Sequence, residues 1–133
     1  MRADDFVAEK DYKINPDYTP GDLEKIQRAA LAVRQYLAQQ GIDLTFTRHF
    51  FDRISADRGI GKIDHTMLME SLARIANRGL KFFDGKPTRT SYAFYDPRNQ
   101  LNIEIVKMDE QRFRARTIVR SDRWLGTSQK VQL

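Results

Sequence analysis

The sequence predicts an α+β fold in which three N-terminal helices pack on one face of a four-stranded antiparallel sheet. Apolar residues recur at spacings of three and four up to Gly79, as in amphipathic helices, and at spacings of two after it, as in strands. Because the predicted helices all precede the strands, no helical crossover joins one strand to the next, which favours antiparallel pairing. A chain of 133 residues is long enough for one domain with its own core.

The first helix is predicted to begin after Thr19, which can serve as its N-cap. Pro20 suits the first helical turn and Asp22 occupies the capping-box position, so both residues support this start. Gly41 is expected to end the helix. The apolar stripe of this helix consists of Leu23, Ile26, Ala30, Val33 and Leu37.

A second and a third helix are predicted from similar signals. A short extended segment over Ile42–Phe46 leads to Thr47, which can cap a helix over Arg48–Ser55. Asp64 can cap the third helix, and Gly79 is expected to end it. The predicted buried residues of the third helix are Leu68, Leu72 and Ile75.

The second half of the chain predicts the strands, which are Leu80–Phe83, Ser91–Asp96, Leu101–Met108 and Arg112–Arg120. A four-residue loop and a three-residue loop between the last three strands place their apolar side chains on one face. In this register Phe94 lies opposite Ile103, and Glu104 lies opposite Arg116. The other face, called here the open face, then carries Tyr95, Asn102, Glu104, Arg114 and Arg116.

One domain over residues 21–125 is predicted, preceded by an arm and followed by a tail. Residues 1–20 show no apolar period and contain Pro16 and Pro20, which is typical of an extended arm. Residues 126–133 follow the last predicted strand and are expected to form a C-terminal tail that wraps the domain.

Composition excludes several kinds of site. Cysteine is absent, which excludes disulfides, cysteine nucleophiles and cysteine-bound metals, and two histidines are too few for a histidine-rich metal site. Neither a metal nor another cofactor is therefore expected. No apolar run approaches the roughly 20 residues of a membrane-spanning helix, and the N-terminus has no signal-peptide core. We expect a cytoplasmic protein without a membrane partner.

The net charge of +5 is unevenly distributed along the chain. Residues 112–133 carry six basic residues and one acidic residue, whereas residues 1–20 carry three basic and five acidic residues. Such a concentration of positive charge predicts a phosphate-binding surface. The alternative is a solvated edge strand that its charges protect from aggregation.

The open face carries the groups that RNA cleavage by internal transfer requires. A base must take the 2′-hydroxyl proton, an acid must protonate the leaving 5′-oxygen, and a cation must hold the phosphate. Glu104 or His49 can be the base, His49 or Tyr95 the acid, and Arg114 or Arg116 the cation. Alternatively, Glu104 and Arg116 form an ordinary cross-strand ion pair.

His49 and Arg53 extend this set of side chains. They are four residues apart and share one face of the second helix, whereas Phe50 and Ile54 form another face. A histidine and an arginine near the start of a helix can bind a phosphate and transfer a proton. The alternative is an inert surface histidine, as we expect for His65 at the start of the third helix.

The stretch LTFTRHFFDR, followed by a linker, a helix and a sheet that ends in an Arg-rich strand, resembles the RelE/barnase-type ribonuclease superfamily. Within it, the RegB-like phage endoribonucleases have a similar H-x-x-D-R run, and the likeness covers residues 42–130. It implies a RelE-like α+β fold and metal-independent cleavage of single-stranded RNA, often mRNA, with a 2′,3′-cyclic phosphate product. A ribosome or an antitoxin would then be further partners.

The resemblance assigns roles to individual residues. His49 matches the helix histidine of the RegB-like enzymes and Arg53 the arginine after it. The basic strand supplies the predicted RNA-binding residues Arg114, Arg116 and Arg120. RegB-like enzymes also have a histidine on the next helix, where this chain has Ala73, so Glu104 or Tyr95 would have to supply the missing partner.

Two other classes of function fit the same residues. The first is a non-catalytic RNA- or DNA-binding module that uses the basic face, with Tyr92 or Tyr95 for base stacking. The second is a phage structural or interaction protein in which the first helix and the arm bind a partner. The oligomeric state is left open, because the acidic arm can cover the basic face of its own subunit or of a neighbour.

Overall fold

The computed structural model describes residues 17–55, 60–124 and 126–133, and it confirms the α+β class. Most of the predicted N-terminal arm lies outside the described residues. The described chain forms three α-helices, which are α1 (Pro20–Ala38), α2 (Arg48–Ser55) and α3 (His65–Arg74). Its strands are β1 (Asp43–Phe46), β2 (Ser91–Asp96), β3 (Leu101–Lys107), β4 (Arg112–Arg120) and β5 (Gln129–Gln132).

The strands form one mixed five-stranded sheet in the order β1-β4-β3-β2-β5. The prediction of four antiparallel strands is therefore wrong for the edges, although β3 is antiparallel to both of its neighbours as predicted. At one edge β1 runs parallel to β4, and at the other β5 runs parallel to β2. Residues 129–132, which fall within the predicted tail, thus belong to the sheet.

The segment Leu80–Phe83, predicted as the first strand, is a 3₁₀ helix that continues α3 through a π-helical turn over Ile75–Gly79. A short apolar run does not by itself distinguish a strand from a buried helical turn, and here the first and last residues of the run are both buried. Gly79 has a helical φ of −81° and does not end the helix. A Cβ at this position would lie 3.1 Å from the Phe94 ring, so the glycine allows close packing on β2.

All three predicted helix caps are confirmed, and at the start of α2 the N–H of Phe50 donates to Thr47 Oγ1 at 3.1 Å. The backbone N–H of Asp22 donates to Thr19 Oγ1 at 3.1 Å and that of Thr19 to Asp22 Oδ2 at 3.0 Å, which completes the capping box of α1. Asp64 Oδ1 accepts from the N–H of Met67 at 2.8 Å at the start of α3. Lys62 also donates to Asp22 Oδ2 at 3.0 Å and ties the two helix starts together.

The two hairpins have the predicted loops. Phe94 lies opposite Ile103, and Asp96 opposite Leu101 closes the four-residue loop. Next to the second loop, Val106 lies opposite Arg114, again in the predicted register. The central three strands are therefore connected as the sequence predicts.

The predicted pairing of Glu104 with Arg116 is replaced by a β-bulge in β4. Ile105 lies opposite Ala115, but the next pair joins Glu104 to Thr117, so Arg116 is the extra residue of the bulge. Beyond the bulge Ile118 points into the core, where the predicted register placed Thr117. The bulge thus leaves Arg116 and Thr117 adjacent on the open face.

The two faces of the sheet are covered differently. The three helices pack on one face around a core that includes Phe50, Leu72 and Ile103, each 0% exposed. The connection from β4 to β5, called here the crossover segment (residues 121–124 and 126–128), passes over the open face. Cover on both sides explains why every residue of β3 is buried. None of the helices in these described ranges combines the length and apolar character that crossing a membrane requires.

Candidate functional site

A cleft of about 810 Å³ opens between α2, the open face of β3 and β4, and the crossover segment. Its walls include His49, Arg53, Glu104, Arg116, Thr117 and Trp124. Four of the seven predicted site residues thus line one cavity: His49, Arg53, Glu104 and Arg116. A volume of this size falls within the range of sites that bind small molecules or single nucleotides.

Helix α2 brings His49 and Arg53 to the cleft because it begins where β1 ends beside β4. The N–H of Thr47 donates to the carbonyl of Ala115 at 3.1 Å, and its hydroxyl donates to the carbonyl of Arg116 at 3.2 Å. These bonds attach the start of α2 to the edge of β4. The helix can therefore contribute side chains to both faces of the sheet.

One face of α2 is buried and another lines the cleft, as the sequence predicts. Phe50 and Ile54 are 0% and 2% exposed and belong to the core, while His49 and Arg53 line the cleft. Nε of Arg53 donates to Nε2 of His49 at 2.9 Å. This bond uses the Nε2 lone pair of a neutral imidazole and therefore assigns the ring proton to Nδ1.

Glu104 lies at the base of the cleft, with 12% of its side chain exposed. Its Oε2 accepts a hydrogen bond from the hydroxyl of Ser128 and lies 3.2 Å from Nη2 of Arg116. Ser128 in turn lies 2.6 Å from the hydroxyl of Ser91 on β2. A carboxylate that is this deeply buried requires such partners, because an unpaired one would lose its hydration without compensation.

The β-bulge shapes the wall opposite α2. In a regular strand Arg116 and Thr117 would point to opposite faces, whereas here both line the cleft. Arg116 reaches Glu104 and keeps 45% of its side chain exposed. The guanidinium can therefore neutralise the carboxylate and still meet a ligand in the cleft.

The crossover segment supplies the third wall, which was not predicted from the sequence. Trp124, Arg123 and Gly126 line the cleft on this side. Nε1 of Trp124 donates to the carbonyl of Ser128 at 2.9 Å. The signal available in the sequence was a single tryptophan within the basic C-terminal stretch.

The other predicted site residues lie outside the cleft walls. Tyr95 is on the open face, but Nζ of Lys130 lies 4.2 Å from the centre of its ring. Arg114 is exposed on the same face, nearer to the second hairpin loop. Arg120 lies opposite Leu101 on the helix-covered side, and its Nη1 donates to the carbonyl of Lys62 at 2.9 Å. The location of Arg120 favours a structural role over the predicted contact with phosphate.

The charges in the cleft are mainly positive. Arg53, Arg116 and Arg123 face one carboxylate, Glu104. Within residues 17–55, 60–124 and 126–133, no three His, Asp or Glu side chains come together to hold a metal ion. The arrangement can therefore bind an anion such as a phosphate and offer a carboxylate and an imidazole for proton transfer.

Comparison of the chain with protein-family models, curated proteins and solved structures finds no match. The resemblance to the RelE/barnase-type ribonucleases therefore stays a prediction from the residues quoted above. The class that the fold and the cleft define is an α+β domain with a basic, single-carboxylate cleft on the open face of its sheet.

Proposed function

We propose that the protein is a metal-independent endoribonuclease that cleaves single-stranded RNA by attack of a 2′-hydroxyl on the adjacent phosphate. The observation that carries this proposal is the meeting of His49, Arg53, Glu104 and Arg116 in one cleft. They come from α2, β3 and β4 and supply a base, an acid and two phosphate-binding cations, which is the set that the reaction needs.

In this proposal Glu104 is the base. Both of its polar contacts described above involve Oε2, so Oε1 is assigned to take the proton from the 2′-hydroxyl. The oxygen O2′ then bonds to phosphorus, and the bond between phosphorus and O5′ breaks. Arg116 lies beside the carboxylate and stabilises the negative charge that accumulates on the phosphoryl oxygens.

His49 is the acid that protonates the leaving O5′. In the structure without RNA its Nε2 accepts from Arg53. A phosphate in the cleft would compete for that guanidinium, because Arg binds phosphate by charge-assisted hydrogen bonds. Nε2 is then open to protonation and can deliver its proton to O5′. The products are a 2′,3′-cyclic phosphate and a 5′-hydroxyl.

The resemblance adds messenger RNA as the substrate, the cytoplasm as the location and a ribosome or an antitoxin as further partners. These parts of the proposal rest on the LTFTRHFFDR stretch and the Arg-rich strand. The cleft itself supports the binding of an RNA phosphate and of the 2′-hydroxyl next to it. Many kinds of RNA contain these two groups.

A second function is favoured by the contacts of Glu104. The Glu104 carboxylate forms an ion pair with Arg116 and a hydrogen bond with Ser128, and its sole role can be structural, to fix the crossover segment on the sheet. The cleft would then bind single-stranded nucleic acid without cutting it. The same cations and the same open cavity serve this function, so cleavage has to be measured directly.

The test is incubation of purified protein with single-stranded RNA in EDTA, followed by analysis of the product ends. We expect fragments with 2′,3′-cyclic phosphate and 5′-hydroxyl ends, and none from a strand whose 2′-hydroxyls are methylated. His49→Ala and Glu104→Gln are each expected to slow cleavage by about 100-fold or more. His65→Ala is the matched control, because His65 lies at the start of α3, outside the cleft walls.

Two results would contradict the proposal. Intact RNA over a wide range of protein concentrations would remove the catalytic function and leave the binding function. Cleavage that persists in both His49→Ala and Glu104→Gln would show that the reaction takes place elsewhere or comes from a contaminant.

A further inference from the structure

The chain contains one tryptophan, and the fold places it in the wall of the basic cleft. A tryptophan that serves packing alone is usually well buried, whereas Trp124 stays partly exposed where the crossover segment faces the cavity. Part of an aromatic surface is thus exposed in the same cleft as three arginines, Arg53, Arg116 and Arg123.

The indole of Trp124 is held in a fixed orientation. Its Nε1 is satisfied by the carbonyl of Ser128 at 2.9 Å. Gly126 lies directly against the six-membered part of the ring, since a Cβ at Gly126 would lie only 2.7 Å from Cε2 and 3.0 Å from Cη2. A side chain at residue 126 would therefore displace the indole. The ring is fixed before any ligand arrives, and less entropy is lost when a ligand stacks on it.

The same contacts connect the indole to Glu104. Ser128 accepts from Trp124 through its backbone carbonyl and donates to the Glu104 carboxylate through its hydroxyl. Arg116 binds that carboxylate from the other side. The aromatic surface, the carboxylate and the cation are thus parts of one hydrogen-bonded unit at the wall and base of the cleft.

We propose that Trp124 is a stacking surface for an unpaired nucleobase of the nucleic acid bound in the cleft. Every nucleobase has a π face, and its stacking on an aromatic side chain is sequence-tolerant but requires that the base be free of a duplex. The arginines of the cleft hold the adjoining phosphates. Trp124 therefore selects single strands over duplexes, and this inference rests on the proposed binding of nucleic acid in the cleft.

The test uses the emission of Trp124, which is the fluorescence of the only tryptophan in the chain. The full-length protein is titrated with a 2′-O-methyl oligouridine, which cannot be cleaved, and with an abasic strand of equal length and phosphate number. We expect saturable quenching by the oligouridine, about 10-fold weaker binding of the abasic strand, and no quenching by it at saturation. A duplex of the same length should also fail to quench.

Two variants separate stacking from a general loss of structure. Trp124→Leu should bind the oligouridine and the abasic strand with equal affinity in a fluorescence-independent assay such as calorimetry. Trp124→Phe keeps an aromatic ring without the Nε1 donor and should retain most of the preference for the strand that has bases. Thermal melting followed by circular dichroism checks that each variant is folded.

The outcomes distinguish this inference from the ribonuclease proposal. Base-dependent quenching without RNA cleavage would support stacking and leave the protein a binding module. Cleavage without any difference between the oligouridine and the abasic strand would overturn stacking and leave the ribonuclease function intact. Equal quenching by both strands, an unchanged preference in Trp124→Leu, or no binding of either strand would each overturn the inference.

Discussion

The two faces of the central strands differ in what covers them and in what their side chains do. On the helix-covered face, Phe94, Ile103 and Ile118 are fully buried among apolar side chains of the helices. On the open face, Glu104 and Arg116 lie under a crossover segment that leaves a cleft between itself and α2. The helix-covered face therefore determines stability, while the open face carries polar groups whose partners are side chains and solvent. Substitutions on the two faces should therefore differ in kind.

The largest effect on stability is expected from Phe94→Ala on the helix-covered face. Phe94 is 0% exposed, and its ring centre lies 5.9 Å from that of Phe83 in the 3₁₀ helix. Removing the ring leaves a cavity between β2 and the end of α3, which should lower the free energy of unfolding by about 3–5 kcal/mol. Denaturant unfolding followed by circular dichroism measures this loss. A loss below about 1 kcal/mol would show that the helix-covered face is not the tightly packed one.

A smaller effect is expected on the open face, where Arg116 and Arg114 form a matched pair two residues apart. Arg116→Ala leaves the Glu104 carboxylate, 12% exposed, without its guanidinium and should lower the free energy of unfolding by about 1–2 kcal/mol. Arg114 is exposed, so Arg114→Ala should change stability by less than about 0.5 kcal/mol. The measurement is again denaturant unfolding.

The difference between the two arginine variants measures how much the Glu104–Arg116 pair contributes to stability on the open face. If both variants cost equally little, the Glu104–Arg116 pair is effectively solvated and the open face contributes nothing specific to stability. Glu104→Gln combined with Arg116→Ala should recover part of the loss, since the buried charge is then also removed.

The parts of the fold that the sequence predicts correctly are those determined by neighbouring residues. The helix caps at Thr19 and Asp64 and the two hairpin loops depend on contacts within a few residues. The edge strands depend on distant partners instead, since β1 pairs with β4 and β5 with β2 across long connections. Strand β5 has one buried residue, Val131, so its apolar pattern carries almost no signal.

The bulge in β4 illustrates a second limit of sequence patterns. Residues 117–119 are all apolar or small. The sequence pattern alone therefore allows either Ile118 or its neighbours Thr117 and Val119 to face the core. The structure buries Ile118 and turns Thr117 toward the cleft. An extra residue in one strand changes which face each later side chain reaches, and only the three-dimensional packing decides where it is inserted.

The candidate site was predictable where it depended on periodicity and not where it depended on the path of the chain. His49 and Arg53 share a helix face by their spacing, and Glu104 lies on the open face by strand parity. Trp124 could not be placed, because the crossover segment has no regular period. Tyr95 has the correct parity but stacks with Lys130 instead of reaching the cleft.

The smallest effect concerns the acid stability of the helix-covered side, at the start of α1. The backbone N–H of Thr19, followed by the ammonium of Lys62, lowers the pKa of Asp22 from 3.8 to about 2. The ionised carboxylate therefore stabilises the folded state above the unfolded pKa near 3.8, and this contribution is lost as the pH falls from about 4 to about 2. Asp22→Asn lacks the contribution at every pH.

The difference in melting temperature between the unaltered protein and Asp22→Asn should thus be constant between about pH 5 and 7 and should shrink below about pH 4. Thermal melting by circular dichroism over this range measures it, and Glu24→Gln on the exposed side of α1 is a control that removes an exposed ion pair with Arg28 at 3.2 Å. A difference that stays constant down to pH 3 would mean that Asp22 titrates alike in the folded and unfolded chains. Charged groups would then stabilise the helix-covered side no more than they stabilise the open face. Apolar packing alone would account for the difference in stability between the two faces.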